Sequence, residues 1–189
     1  MSTVKLFIKG IQVACLAILC ATSQASIQDN VVHIAGFNYQ VVMKGTGSGF
    51  ILRDGYVVTA YHVAAMGRQL RVKDSRGQWH DASLLMRGKP DWAVLSVPTL
   101  RGAGIPIDRD GVAQGESMVA YGRFSEGIRM SHGYVQDWMF QRAYQHCTTN
   151  VYPGFSGGPV VDRDGEVVGI VSMQTPGGSC LYVPIGSIR

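Results

Sequence analysis

From about Val41 onward the chain alternates short apolar runs with brief polar turns. Gly49-Phe50-Ile51-Leu52 is followed by Arg53-Asp54-Gly55 and then by Tyr56-Val57-Val58, two short strands around an Asp-Gly turn. The same punctuation recurs at Asp74-Ser75-Arg76-Gly77, Asp108-Arg109-Asp110-Gly111 and Asp162-Arg163-Asp164-Gly165. Strands this short and evenly spaced predict an all-β sandwich or barrel and argue against βαβ repeats. No stretch sustains a helical period; at most Tyr61 to Gly67 makes a turn or two. The segment 49–58 also echoes 158–168, each reading as a hairpin. Two duplicated halves would produce that echo, and so would chance similarity between two hairpins.

The amino terminus follows other rules. Lys5 and Lys9 form a basic start, Ile11 to Ala21 an apolar run, and Ser23-Gln24-Ala25 a small-x-small site. Residues 1–25 are therefore expected to be a signal peptide cleaved after Ala25, which predicts a secreted or periplasmic protein. Leu19 is too bulky for the residue before a lipidated Cys20, and the apolar run falls short of the roughly 20 residues that span a bilayer. No stable membrane association is expected after cleavage. Removing 25 of 189 residues leaves 164, enough for one sizeable core or two small ones in a compact unit. The formal charge falls from +4 to +2 with the loss of Lys5 and Lys9, and the arginines are scattered. Nothing here is a nucleic-acid footprint. Trp79, Trp92 and Trp138 are expected in the core or on a barrel surface.

The candidate chemistry centres on Gly154-Phe155-Ser156-Gly157-Gly158-Pro159. A serine among glycines leaves backbone N–H groups uncovered, which suits a nucleophile whose developing oxyanion is held by main-chain donors. The block fits Gly-x-Ser-x-Gly, the nucleophile elbow of α/β-hydrolases, but those place their histidine after the serine. Here the last histidine is His146. The base must lie upstream, giving the order His…Asp…Ser. Thr59-Ala60-Tyr61-His62 places a histidine at a strand end, and Asp91 leads the apolar strand Trp92-Ala93-Val94-Leu95-Ser96-Val97, where a carboxylate can be buried. Asp74 and Asp81 also lie between His62 and Ser156, but in polar, turn-like settings. His33, His80, His132 and His146 have no partner pattern and are expected to be structural or surface residues.

Four cysteines occur; Cys15 and Cys20 belong to the signal, and Cys147 and Cys180 remain. An even pair in an exported chain predicts one disulfide across the Ser156 motif, with two free thiols as the alternative. Closing a loop of that length stabilises by roughly 3–4 kcal/mol in the chain-entropy view. No Cys-x-x-Cys or His-x-x-x-His spacing supports a metal site.

Gly-Ser-Gly-Phe…Val-Val-Thr-Ala-Tyr-His, Asp-Trp-Ala-Val-Leu and Gly-Phe-Ser-Gly-Gly-Pro together resemble the three signature blocks of trypsin-like (chymotrypsin-fold) serine proteases. The style is nearest to the bacterial HtrA-like and glutamyl-endopeptidase-like members, and the resemblance runs from about Val41 to Ile185. It implies two six-stranded antiparallel β-barrels with the active site in the cleft between them. The expected divisions are 26–104, carrying His62 and Asp91, and 105–189, carrying Ser156, with a linker between Pro98 and Gly111. By the same resemblance Ser156 is the nucleophile, His62 the base, Asp91 the orienting acid, and the N–H groups of Gly154 and Ser156 the oxyanion hole. The primary pocket would be lined near Asn150, by Val171-Ser172-Met173 and around Cys180-Leu181-Tyr182. No acid stands there, which argues against a taste for Lys or Arg and for a neutral side chain.

Two departures from the family matter. Phe155 stands where zymogen-activated members carry an aspartate that pairs with a new amino terminus. Val63 stands where many eukaryotic members have a cysteine. With the last predicted strand close to Arg189, no PDZ domain is expected, and the enzyme is expected to be a monomer. A peptide or protein is the implied substrate and no cofactor is required. The rival functions are a catalytically silent homologue that binds peptides and an esterase using the same triad.

Overall fold

The structure is a computed structural model that describes residues 27–40, 42–140 and 142–188. The expected signal peptide, residues 1–25, and its cleavage after Ala25 lie outside the described residues.

Twelve strands form two closed barrels of six. The first contains β1 (Val31–Phe37), β2 (Met43–Arg53), β3 (Tyr56–Thr59), β4 (Gln69–Lys73), β5 (Trp79–Gly88) and β6 (Trp92–Ser96). The second contains β7 (Ser117–Phe124), β8 (Gly127–Met139), β9 (Tyr144–Asn150), β10 (Pro159–Val161), β11 (Val167–Gln174) and β12 (Ser179–Pro184). The pairings within both barrels are antiparallel. This is the all-β, two-barrel architecture expected from the turn spacing and the resemblance. A one-turn helix, α1 (Tyr61–Ala64), follows β3.

The two barrels repeat one topology. The first closes in the order β1-β2-β3-β6-β5-β4, and the second reads β7-β8-β9-β12-β11-β10 in the same sense. The two halves therefore share a topology, but the sequence echo points to the wrong partners. It matches β2–β3 to β10–β11, whereas the topological counterpart of β10–β11 is β4–β5. Those two hairpins share their turn chemistry. Asp74 Oδ1 accepts the N–H groups of Arg76 and Gln78, each at 2.9 Å, and Asp162 Oδ1 accepts those of Asp164 and Glu166, also at 2.9 Å. A short acceptor side chain can close a turn on its own backbone, and this selects the Asp-x-x-Gly pattern wherever such a turn is needed.

Burial explains why several strands read as continuous apolar runs. In β1 all of Val31 to Gly36 are buried, and in β11 all of Val167 to Ser172. These strands face a barrel interior on one side and other protein on the other, so period-two alternation disappears. One apolar cluster joins Val31, Phe50 and Leu95 of the first barrel to Tyr121, Ile170 and Val183 of the second. A smaller cluster, including Met118, Phe155 and Cys180, fills the second barrel alone. The shared cluster holds the barrels against each other and so fixes the cleft. Trp92 is buried, while Trp79 and Trp138 are largely exposed. The segment 97–116 joins the barrels: Gly55 N donates to Leu100 O at one end, and Val167 N to Pro106 O at the other.

Candidate active site

Each barrel brings its chemistry to the cleft by a different device. His62 is the second residue of α1, three residues past the end of β3 rather than at the strand end expected from sequence. Asp91 lies just before β6 and is buried. Because β3 and β6 are hydrogen-bonded neighbours, with Thr59 opposite Ala93, the two residues extend from adjacent strand ends. His62 Nδ1 lies 2.8 Å from Asp91 Oδ2, and His62 N–H donates to Asp91 Oδ1 at 3.0 Å. Two contacts to one carboxylate set both the backbone and the ring of His62.

A third donor completes the carboxylate. Ser172 of β11 gives its hydroxyl proton to Asp91 Oδ2 in a very short contact across the barrel interface. Burial pushes the Asp91 carboxyl up, but the hydrogen bonds from the His62 ring, the Ser172 hydroxyl and the His62 N–H outweigh it and leave the group below its ordinary value. Tyr144 of β9 lies within electrostatic reach of the same carboxylate. Burial pushes its phenol up and the Asp91 charge adds to this. A carboxylate so provided with donors remains charged and can fix the tautomer of an imidazole.

Ser156 approaches from the second barrel, in the loop before β10. Its Oγ lies 3.4 Å from the Ser172 carbonyl, a long contact that leaves the hydroxyl loosely held. Among the described residues, the N–H groups of Gly154 and Ser156 have no acceptor, whereas those of Phe155, Gly157 and Gly158 do. None of the loop's three glycines leaves room for a side chain, and at Gly158 a Cβ would overlap Tyr121 O. Gly157 has φ +87 and a Cβ there would overlap Ser48 O and Thr59 Oγ1; Gly154 has φ +109 and a Cβ would overlap the Phe124 ring. Phe155 is 1 % exposed and packs edge-on against Phe124 and Tyr152, at 5.6 and 4.9 Å between ring centroids. An apolar anchor thus occupies the place where the sequence comparison sets an aspartate.

Beside Ser156 is a cavity of about 350 Å³ lined by Val151, Tyr152, Pro153, Phe155, Val171, Ser172, Met173 and Gln174, with no charged side chain. Of the lining expected from sequence, Val171, Ser172 and Met173 are there, with Val151 next to Asn150, but Asn150 and Cys180 themselves are not, and the Ser172 hydroxyl turns to Asp91. Asn150 is exposed at the end of β9. Cys180 is wholly buried because the alternation of β12 directs it into the second-barrel core. Cys180 pairs in register with Cys147 across β12 and β9, and the structure carries both as thiols rather than as the expected disulfide. Burial pushes the Cys180 thiol well up. Among the described residues no cluster of metal-ligating side chains occurs, and no helix is long and apolar enough to cross a membrane.

Sequence reasoning missed Ser172 as the partner of Asp91. Nothing local marks it, since it reaches the acid from the opposite barrel.

Residues 47–170 match the trypsin-like peptidase domain. The chain is 31 % identical to the serine protease HTRA1 of Xenopus laevis, a match covering 84 % of this chain and 39 % of the relative. It is 29 % identical to the mitochondrial serine protease HTRA2 of Bos taurus, covering 89 % and 40 %. The chain thus spans about 40 % of the length of these curated relatives. An M. tuberculosis protease solved in its active form superposes with a TM-score of 0.77 at 20 % identity, covering 88 % of this chain and 80 % of that one, a likeness of fold. With more than half of its length inside one family's domain, the chain belongs to the trypsin-like peptidase family.

Proposed function

We propose that this protein is an exported serine endopeptidase that cleaves peptide or protein substrates through an acyl-enzyme. The observation that carries the reading is the His62–Asp91 pair, 2.8 Å apart, set across the cleft from a serine whose neighbouring N–H groups are unpaired. Ser156 Oγ attacks the carbonyl while His62 Nε2 takes its proton. Asp91 holds the Nδ1–H and stabilises the imidazolium as it forms. The N–H groups of Gly154 and Ser156 donate to the oxyanion, an interaction whose loss typically costs about a hundred- to a thousandfold in rate. The proton on His62 then passes to the leaving amine, and water repeats the sequence to release the acyl group.

The uncharged cavity beside Ser156 supports a neutral, small or medium apolar side chain before the cleaved bond. Phe155 has no carboxylate to pair with a new amino terminus, so activity should not require a defined one. A Chlamydia muridarum relative, named as a probable periplasmic serine endoprotease, is 29 % identical over 74 % of this chain, and with the amino-terminal pattern it favours an exported enzyme. In an oxidising compartment the Cys147–Cys180 pair should be bonded; a thiol titration near two per folded molecule would oppose that.

A fluorophosphonate probe tests the nucleophile: wild type should label and Ser156→Ala should not. An unlabelled wild type would favour a silent, peptide-binding homologue. Hydrolysis of small esters without cleavage of protein substrates would favour an esterase.

A further inference from the structure

Ser48 of β2 is fully buried, and all of its polar atoms are engaged at the joint between the barrels. Its N–H donates to Ser156 O at 2.8 Å. Its hydroxyl donates to Gly154 O at 2.6 Å and accepts the N–H of Arg123 at 2.9 Å. The Arg123 carbonyl lies farther off, at 3.4 Å, so the single hydroxyl proton belongs on Gly154. Thr59 Oγ1 donates to the Ser48 carbonyl at 2.7 Å and holds the residue from behind.

The two carbonyls that Ser48 grips belong to Gly154 and Ser156, the residues whose N–H groups have no acceptor. Gly154, with φ +109 and no Cβ, cannot set the direction of its own peptide planes by side-chain packing. Something outside the loop must do so. Ser48 fixes one end of the three-residue segment through its side chain and the other through its backbone.

We propose that Ser48 is a positioning residue for the oxyanion-binding segment, acting through Gly154 and Ser156 and touching no substrate. The role rests on the serine-peptidase reading. It places a first-barrel side chain in control of second-barrel donors, so the oxyanion site is completed only when the barrels are docked. Arg123 extends the same connection. Its backbone N–H supplies the Ser48 hydroxyl, and its guanidinium donates to the carbonyls of Gln28 and Val31 in the amino-terminal segment.

The test is the rate of fluorophosphonate labelling of Ser156 in the full chain, separated into initial binding (KI) and inactivation (kinact). The phosphoryl oxygen of the probe takes the place of the oxyanion. Ser48→Ala should lower kinact about ten- to a hundredfold with KI unchanged, up to the lower end of what a lost donor costs. Ser48→Thr, which keeps the hydroxyl, should recover most of the rate. Ser48→Cys, close in volume but a weak donor, serves if the alanine chain does not fold. Rates are compared at matched folded fraction by circular dichroism. Wild-type kinact in Ser48→Ala or Ser48→Cys, or a loss confined to KI or to folded fraction, would overturn the role. A wild type that does not label removes the peptidase reading itself, a distinct failure, and the role with it.

Discussion

His62 and Asp91 lie 2.8 Å apart at the cleft; His80 and Asp74 lie 3.2 Å apart in the same barrel, under the β4–β5 turn. Both pairs have a hydroxyl within reach, Ser172 on Asp91 in the first and Thr99 on His80 Nδ1, at 2.9 Å, in the second. The inventories are nearly the same and the wiring is not. In the cleft pair the acid sits on Nδ1, and among the described residues Nε2 has no partner. In the turn pair the acid sits on Nε2 and the hydroxyl on Nδ1, so both ring nitrogens are occupied. The His62 side chain is 45 % exposed and that of His80 5 %. A histidine that is to carry a proton needs a free nitrogen facing substrate, whereas one that fastens a turn needs both nitrogens engaged and no access. The sequence expectation that His80 lacked a partner pattern is corrected here: its partners are Asp74, six residues away, and Thr99, brought in by the barrel.

The comparison can be broken most decisively by replacing each acid. Asp91→Asn should lower kcat by about 10⁴-fold with the fold intact, because the amide selects the wrong tautomer. Asp74→Asn should leave kcat at the wild-type value. Steady-state kinetics on one ester substrate measures both, and similar losses in the two variants would end the distinction.

Replacing each base should reverse the pattern on stability. His80→Ala should cost about 1–3 kcal/mol in urea unfolding, since it removes a buried ring and leaves the half-buried Asp74 carboxylate without one of its donors. His62→Ala should unfold close to wild type while losing activity. A smaller effect is expected for Thr99→Val, about 1 kcal/mol or less, because its hydroxyl sits near solvent.

Acid sharpens the comparison at its finest. For Asp74, burial pushes the carboxyl up, but hydrogen bonds from Gln78, His80 and Arg76 prevail and hold it below the ordinary range, as for Asp91. A carboxyl with a lowered folded pKa adds stability that is fully present above its unfolded value. That stability is lost as pH falls through the folded value. Urea unfolding from neutral to strongly acid pH should therefore show wild type losing its advantage over Asp74→Asn and Asp91→Asn below about pH 4. An advantage that persisted there would mean that neither carboxylate is held as described.

Much of the fold was legible because turn chemistry is local. Asp74 to Gly77 and Asp162 to Gly165 each close a turn with their own atoms, and Gly55, Gly77 and Gly165 take the positive φ that the pattern implies. Strand count and barrel closure follow from such turns together with the resemblance. The internal echo misled because a hairpin motif records a local turn and not a place in a barrel. Asn150 and Cys180 were misplaced for a related reason. Which face of β9 or β12 meets the cavity depends on how the barrel curves, and no run of residues encodes that alone.

The sequence by itself determined which atoms could do chemistry and where the backbone could bend: Ser156 among glycines, His62 after a strand, Asp91 before one, and Phe155 in place of an acid. These are properties of neighbouring residues, carried by side-chain type and allowed φ. The tertiary structure decided how they are held. Ser172 reaches Asp91 across 81 residues of chain, and Ser48 reaches Gly154 across 106. Such contacts exist only because a shared apolar core presses two barrels together, and that pressing is a sum over many buried side chains that no single motif records.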